Sequence, residues 1–169
     1  YTSVASGAWN NAATWSGAGF PVAGDVVTVA NGHTITIPAA AACATLTLNG
    51  SGRINHTANV TLAVSGDLTM DGTSQIVPAT ASATRILNVG GIFSVSAGAT
   101  NARIGGLQVN INGAGPHTIA GTLTLNSNTG VKTFIGAVTN SGTWTSTTVA
   151  TAANLIFRGG VSSTAGTFS

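Results

Sequence analysis

The chain has no glutamate, one lysine and one cysteine, and charged residues of every kind make up only 5% of it. Exposed helix faces are normally filled with Glu, Lys, Gln and Arg, so this scarcity argues against a helical protein. A lone cysteine, Cys43, excludes an internal disulfide. It sits in the Ala-rich stretch 39–44 with no histidine or cation beside it, which reads as a buried small hydrophobe rather than a reactive thiol. No apolar run approaches the ~20 residues of a membrane span. The five cations, Arg53, Arg85, Arg103, Lys132 and Arg158, are scattered along the chain and give a net charge of only +2. Nothing clusters them in sequence to neutralise several phosphates at once, so no nucleic-acid partner is expected.

What remains is small and uncharged. Thr, Ala, Gly, Ser and Asn account for 106 of the 169 residues, yet 43% hydrophobic content and a mean hydropathy of +0.39 leave ample apolar surface to bury, which excludes ordinary disorder. The length suits one domain or one run of stacked repeats. Polar and apolar residues alternate in His33-Thr34-Ile35-Thr36-Ile37, Ala44-Thr45-Leu46-Thr47-Leu48, Asn59-Val60-Thr61-Leu62-Ala63-Val64 and Thr122-Leu123-Thr124-Leu125. Such runs, bounded by Gly and Asn turns, predict short strands with one buried face. The expected fold is all-β.

A Gly-x-apolar triplet recurs as Gly66-Asp67-Leu68, Gly91-Ile92-Phe93, Gly121-Thr122-Leu123, Gly142-Thr143-Trp144 and Gly166-Thr167-Phe168, at steps of 25, 30, 21 and 24 residues. Repeats of this length with a strand in every unit predict a parallel β-solenoid over 24–169, with Asn amides stacking from coil to coil at its turns. A β-sandwich is the alternative, since its strands also recur at short intervals. On the solenoid reading, Phe93, Leu123 and Trp144 occupy equivalent inward positions in successive coils. Residues 1–23, rich in Trp, would form an N-terminal cap.

The opening string Trp9, Thr14-Trp15, Pro21, Gly24-Asp25, Val27, Val29, Gly32 and Ile35 resembles the start of repeat-rich secreted surface proteins of gliding-type bacteria. It is also similar to the extracellular domain named for its eight glycines. The resemblance covers residues 7–48 and implies a β-helix in an extracellular setting; the shared motif residues are structural, so it implies no active site.

Candidate chemistry is sparse. Asp25, Asp67 and Asp71 are the only carboxylates. Asp67 and Asp71 flank a short strand, which would hold them ~13 Å apart, too far for either glycosidase geometry, and Asp25 reads as a turn residue accepting backbone N–H groups. His33, His56 and His117 each precede a Thr and read as residues of solvated edges, with no spacing that builds a metal site. No nucleophile elbow is present. The four Thr-apolar-Thr motifs, at Thr34, Thr45, Thr122 and Thr143, resemble elements of an ice-binding face, but their spacing forms no contiguous ladder. Trp9, Trp15, Phe20, Trp144, Phe157 and Phe168 are candidates for a sugar-stacking platform, with core and cap packing as the other use.

No catalytic, cofactor or metal residues are therefore assigned. The expected function is a non-enzymatic extracellular structural or adhesive protein, a filament subunit or a segment of a large surface adhesin. Alternatives are a carbohydrate-binding or polysaccharide-degrading β-helix and an ice-binding surface. A start at Tyr1 and a fresh strand start at Gly166 suggest a processed or excised chain whose end continues or docks on another copy.

Overall fold

A computed structural model describes residues 1–125, 129–146 and 155–168. The chain is all-β, 50% strand and 2% helix, and its parallel sheets stack as a β-solenoid of about 6 turns. Each turn contributes one strand to each of three sheets. The coils run β2 (Val26–Val29), β3 (Thr34–Ile37), β4 (Ala41–Cys43); β5 (Thr45–Leu48), β6 (Arg53–His56), β7 (Thr61–Val64); and β8 (Leu68–Met70), β9 (Gln75–Pro78), β10 (Ser82–Val89). They continue as β11 (Phe93–Val95), β12 (Ala102–Ile104), β13 (Leu107–Ile111); β14 (His117–Ile119), β15 (Thr122–Leu125), β16 (Lys132–Phe134); and β17 (Val138–Asn140), β18 (Thr143–Ser146), β19 (Leu155–Phe157). β20 (Val161–Ser163) and β21 (Thr167–Phe168) begin another turn. Sheet I is β2-β5-β8-β11-β14-β17-β20, sheet II runs from β3 through β6, β9, β12, β15 and β18 to β21, and sheet III is β4-β7-β10-β13-β16-β19.

Strands mostly of three to five residues suffice because each makes its hydrogen bonds to the strands above and below, so the ladder and not the single strand is the stable unit. Alternation then does the rest. Alternate members of each short run point inward and stack on their counterparts: Ile35, Ile54, Ile76, Ile104 and Leu125 form one column of sheet II, all buried. A second column of the same sheet grows from Ala102 through Leu123 to Trp144 and Phe168. Volume is shared between sheets: the coil that supplies small Ala102 also supplies Phe93, which lies 6.1 Å from the Phe134 ring.

This register corrects the expected repeat. Phe93 belongs to sheet I and stacks on Leu68, whereas Leu123 and Trp144 are neighbours in sheet II. The Gly-x-apolar triplets are two corner columns read as one. Gly66 and Gly91 stack before sheet I, and Gly121 and Gly142 stack before sheet II. A Cβ on Gly91 would run into Gly66, and one on Gly142 into the Gly121 carbonyl, so close coil contact selects glycine at both corners. The 30-residue step from Gly91 to Gly121 crosses from one corner to the other.

The first 23 residues lie across the first coil. β1 (Gly7–Ala8) pairs with β3, Thr2 bridges Thr28, and a single 3-10 turn at Ala12–Thr14 follows. Trp9 and Trp15 are buried edge to face at 5.3 Å, their indole N–H groups donating to the Pro21 and Trp9 carbonyls. Asn pairing between coils occurs on a strand face, where the Asn110 amide donates to Asn88 Oδ1 at 2.8 Å in sheet III; at a corner Asn31 Oδ1 instead accepts from the Ser51 N–H.

Leu123 is fully buried between Ala102 and Trp144. Leu123→Asp is therefore expected to cost several kcal/mol, a large part of a domain's whole stability, and to collapse the thermal transition. Thr124→Ser, on the outward side of the same strand, should leave Tm nearly unchanged. Calorimetry of the two variants checks the register directly.

Candidate functional site

Three outward faces follow from one winding rule, and their side chains differ sharply. On sheet I the central outward position is Thr28, Thr47, Thr69, Ser94, Thr118, Thr139 and Ser162, in register through seven consecutive coils. Thr2 stands in front of Thr28 as a further rung. Rungs of a sheet are about 4.8 Å apart, and adjacent hydroxyls meet: Thr118 donates to Ser94 at 3.2 Å and Ser162 to Thr139 at 3.5 Å. Val26 and Ile92, both exposed, stand two residues before Thr28 and Ser94 and add an apolar border. No lysine or arginine lies in this column. The matching column of sheet III reads Ala42, Ala63, Asn88, Asn110, Thr133, Ile156, so strand propensity alone does not make a hydroxyl row.

Only Thr47 of this ladder belongs to a Thr-apolar-Thr motif. The reading that no contiguous ladder exists is thus corrected: the rungs are single Thr or Ser residues separated by whole coils. Of the motifs themselves, Thr122/Thr124 and Thr143/Thr145 do stack, in sheet II, whereas the pairs at Thr34 and Thr45 lie on different sheets.

Sheet II carries a different outward column: Thr34, Arg53, Gln75, Arg103, Thr124 and Thr145. Arg53 and Arg103, fifty residues apart in sequence, are two rungs apart in space. Both side chains are half-buried, the Nε atoms are covered without a partner, and neither guanidinium has an ion pair or hydrogen bond among the described residues. Arg85, by contrast, is buried and tied to the Ala58, Thr57 and Thr80 carbonyls.

The carboxylates hold turns. Asp25 accepts the Val22 N–H at 2.8 Å and Asp67 accepts the Ile92 N–H at 2.7 Å. Asp71 accepts the Ser96 hydroxyl, and that hydrogen bond holds its carboxyl below the ordinary value. Asp67 and Asp71 sit at opposite ends of β8. Among the described residues no three His, Cys or Asp side chains come together as a metal site, and no helix is long and apolar enough to cross a membrane. Cys43 faces the core, where burial, with Asp25 adding to it, pushes its thiol up to about 12.

Two histidines depart from the expected solvated edges. His56 and His117 are fully buried, each at an inward position of its strand. Their Asn- and Pro-flanked sequences hide this, because His56 ends its strand and His117 begins its own, and an inward residue at a strand end has the same neighbours as a turn residue. His117 Nδ1 accepts the Phe93 N–H at 3.1 Å, while His56 has no hydrogen bond at either ring nitrogen. His33 remains half-exposed, with Nδ1 2.9 Å from the Ser3 hydroxyl. Lys132 also points inward, its ammonium donating to the Thr129 and Gly130 carbonyls at 3.0 and 2.9 Å, and burial lowers its pKa to about 8.

The aromatics form no single platform. Trp9 and Trp15 are core at one end, and Trp144, Phe157 and Phe168 pack with Phe134 at the other. Phe20 and Phe168 are exposed, and Phe20 borders an apolar cleft of about 390 Å³ lined by Trp9, Pro21, Pro38 and the alanines of β4. The chain matches no protein-family model, and no curated protein or solved structure matches it.

Burial, reinforced by the nearby Arg85 charge, lowers His56 from 6.5 to about 4. The native pKa lies below the unfolded one, so the unfolded chain takes up a proton first as pH falls. The stabilisation is whole above pH 6.5 and is lost between 6.5 and about 4, on the order of 3 kcal/mol. His117 is shifted the same way by burial, whereas Asp71 titrates below this window. Tm should fall steeply across that interval, and His56→Leu should flatten much of the dependence; melting curves through the range test it.

Proposed function

We propose that this chain is a non-enzymatic extracellular structural and adhesive element, a solenoid segment of a large surface protein or filament, that lays sheet I flat against an extended, repeating surface. The observation that carries this reading is the hydroxyl column from Thr28 to Ser162, uninterrupted over seven coils. One hydroxyl contact contributes only about 1 kcal/mol net, so a small soluble ligand gains little here. A partner that presents the same spacing many times engages every rung at once, and the contacts after the first are effectively intramolecular. Three carboxylates committed to turns support the non-enzymatic half of the proposal. The extracellular setting rests on the resemblance of the opening segment and on the scarcity of charge.

Ice is a second reading, favoured by the same column: its rung spacing lies close to an oxygen repeat of hexagonal ice, and neighbouring hydroxyls already hydrogen-bond along it. Retention on cellulose, chitin and a growing ice shell tests both. The protein is expected to be retained on at least one of the three, and Thr69→Tyr with Thr118→Tyr should reduce retention at least tenfold. Thr133→Tyr on sheet III should not. Retention on ice alone selects the second reading. A protein that stays in solution with all three, or polysaccharide turnover abolished by Asp67→Asn or Asp71→Asn, overturns the proposal.

A further inference from the structure

The outward column of sheet II does different chemistry from the hydroxyl ladder. We infer that Arg53, Gln75 and Arg103 form a binding strip for an anionic polysaccharide, a chain bearing carboxylates among hydroxyls, laid along the solenoid axis. Two guanidinium groups stand on one face with Gln75 in register between them. Sheet spacing puts their backbones roughly 10 Å apart along the axis. Neither has an acidic partner, and the three aspartates of the chain are engaged at turns bordering sheet I. Their field is therefore not cancelled within the protein. In a chain with eight charged residues in all, the matching outward columns of sheets I and III carry no cation among the described residues.

Three of the covered polar atoms that lack a partner lie on this one sheet face: Arg53 Nε, Asn55 Oδ1 and Arg103 Nε. The arginine stems are thus packed down, which pre-orients their terminal nitrogens and reduces the ordering needed to grip a carboxylate in fork geometry. Around them Thr34, Thr36, Asn55 and Thr124 supply hydroxyl and amide groups suited to sugar hydroxyls. Of the aromatic side chains of this sheet's strands, Trp144 is buried and Phe168, although exposed, stands in the inward column and not on this outward face, so bases have no stacking platform beside the arginines. Two cations also fall short of what the dense phosphate backbone of a nucleic acid demands. A hydroxyl-rich chain with more widely spaced carboxylates is the matching occupant.

The test is affinity electrophoresis of the full chain through gels containing a soluble polyuronate, a neutral glucan or duplex DNA. The polyuronate should retard the protein at low salt and the neutral glucan should not. Arg53→Gln with Arg103→Gln should weaken binding at least tenfold, with Tm little changed because this column already holds Gln75 between them. Arg53→Lys with Arg103→Lys, which keeps the charge and loses the fork, should recover only part of it. Arg158→Gln, and the sheet I pair Thr69→Tyr with Thr118→Tyr, should bind as the parent does; the second control separates this strip from the adhesive face. Equal retardation by neutral glucan, loss of binding in Arg158→Gln but not in the Arg53/Arg103 variant, or tighter arginine-dependent binding to DNA overturns the inference.

Discussion

Each strand in this molecule finds its hydrogen-bond partners one coil earlier and one coil later, never within its own coil. The dependence of coil on coil fixes the register, and the register fixes which side chains stack. Once Ile54 is set on Ile35, Asn55 must lie on Thr36 and Arg53 on Thr34. A slip of one residue would turn every inward side chain to solvent, so the apolar columns hold the ladder in place as firmly as its hydrogen bonds do.

The same constraint explains the odd buried groups. His117 occupies the place where sheet I has Leu68 and Phe93 in preceding coils, and Lys132 follows Val109 in sheet III. A solenoid has an inward slot at each rung, and a polar residue that falls there is buried by its neighbours. Each finds a local remedy: His117 accepts a backbone N–H from the coil below, and Lys132 reaches the carbonyls of its own turn. His56 finds none and stays neutral over most of the pH range. Polar burial here follows from winding and does not by itself mark an active site.

Outward positions face no such test, and they are where the three sheets diverge. Sheet I keeps hydroxyls, sheet III mixes alanine, amide and isoleucine, and sheet II places two arginines around a glutamine. Stability asks little of these positions beyond a strand-compatible side chain, so a column that holds one chemistry through seven coils needs a cause outside the core. The hydroxyl column supports the adhesive proposal for that reason.

Composition and period-2 alternation were enough to specify an all-β chain and most inward residues, because those depend on local pattern and on the bulk of side chains; the recurring Gly-x-apolar triplet pointed to the solenoid. The Thr-Ile-Thr-Ile and Thr-Leu-Thr-Leu runs became strands with the expected faces. Which strand lies on which was not legible. Coil length varies with the turns, so Gly91 and Gly121 read as successive repeats although they mark different corners, and the buried histidines read as turn residues. The hydroxyl ladder and the arginine pair are products of that long-range register. Their members stand some twenty or more residues apart in sequence, and only closure of each coil on the last brings them to adjacent or near-adjacent rungs.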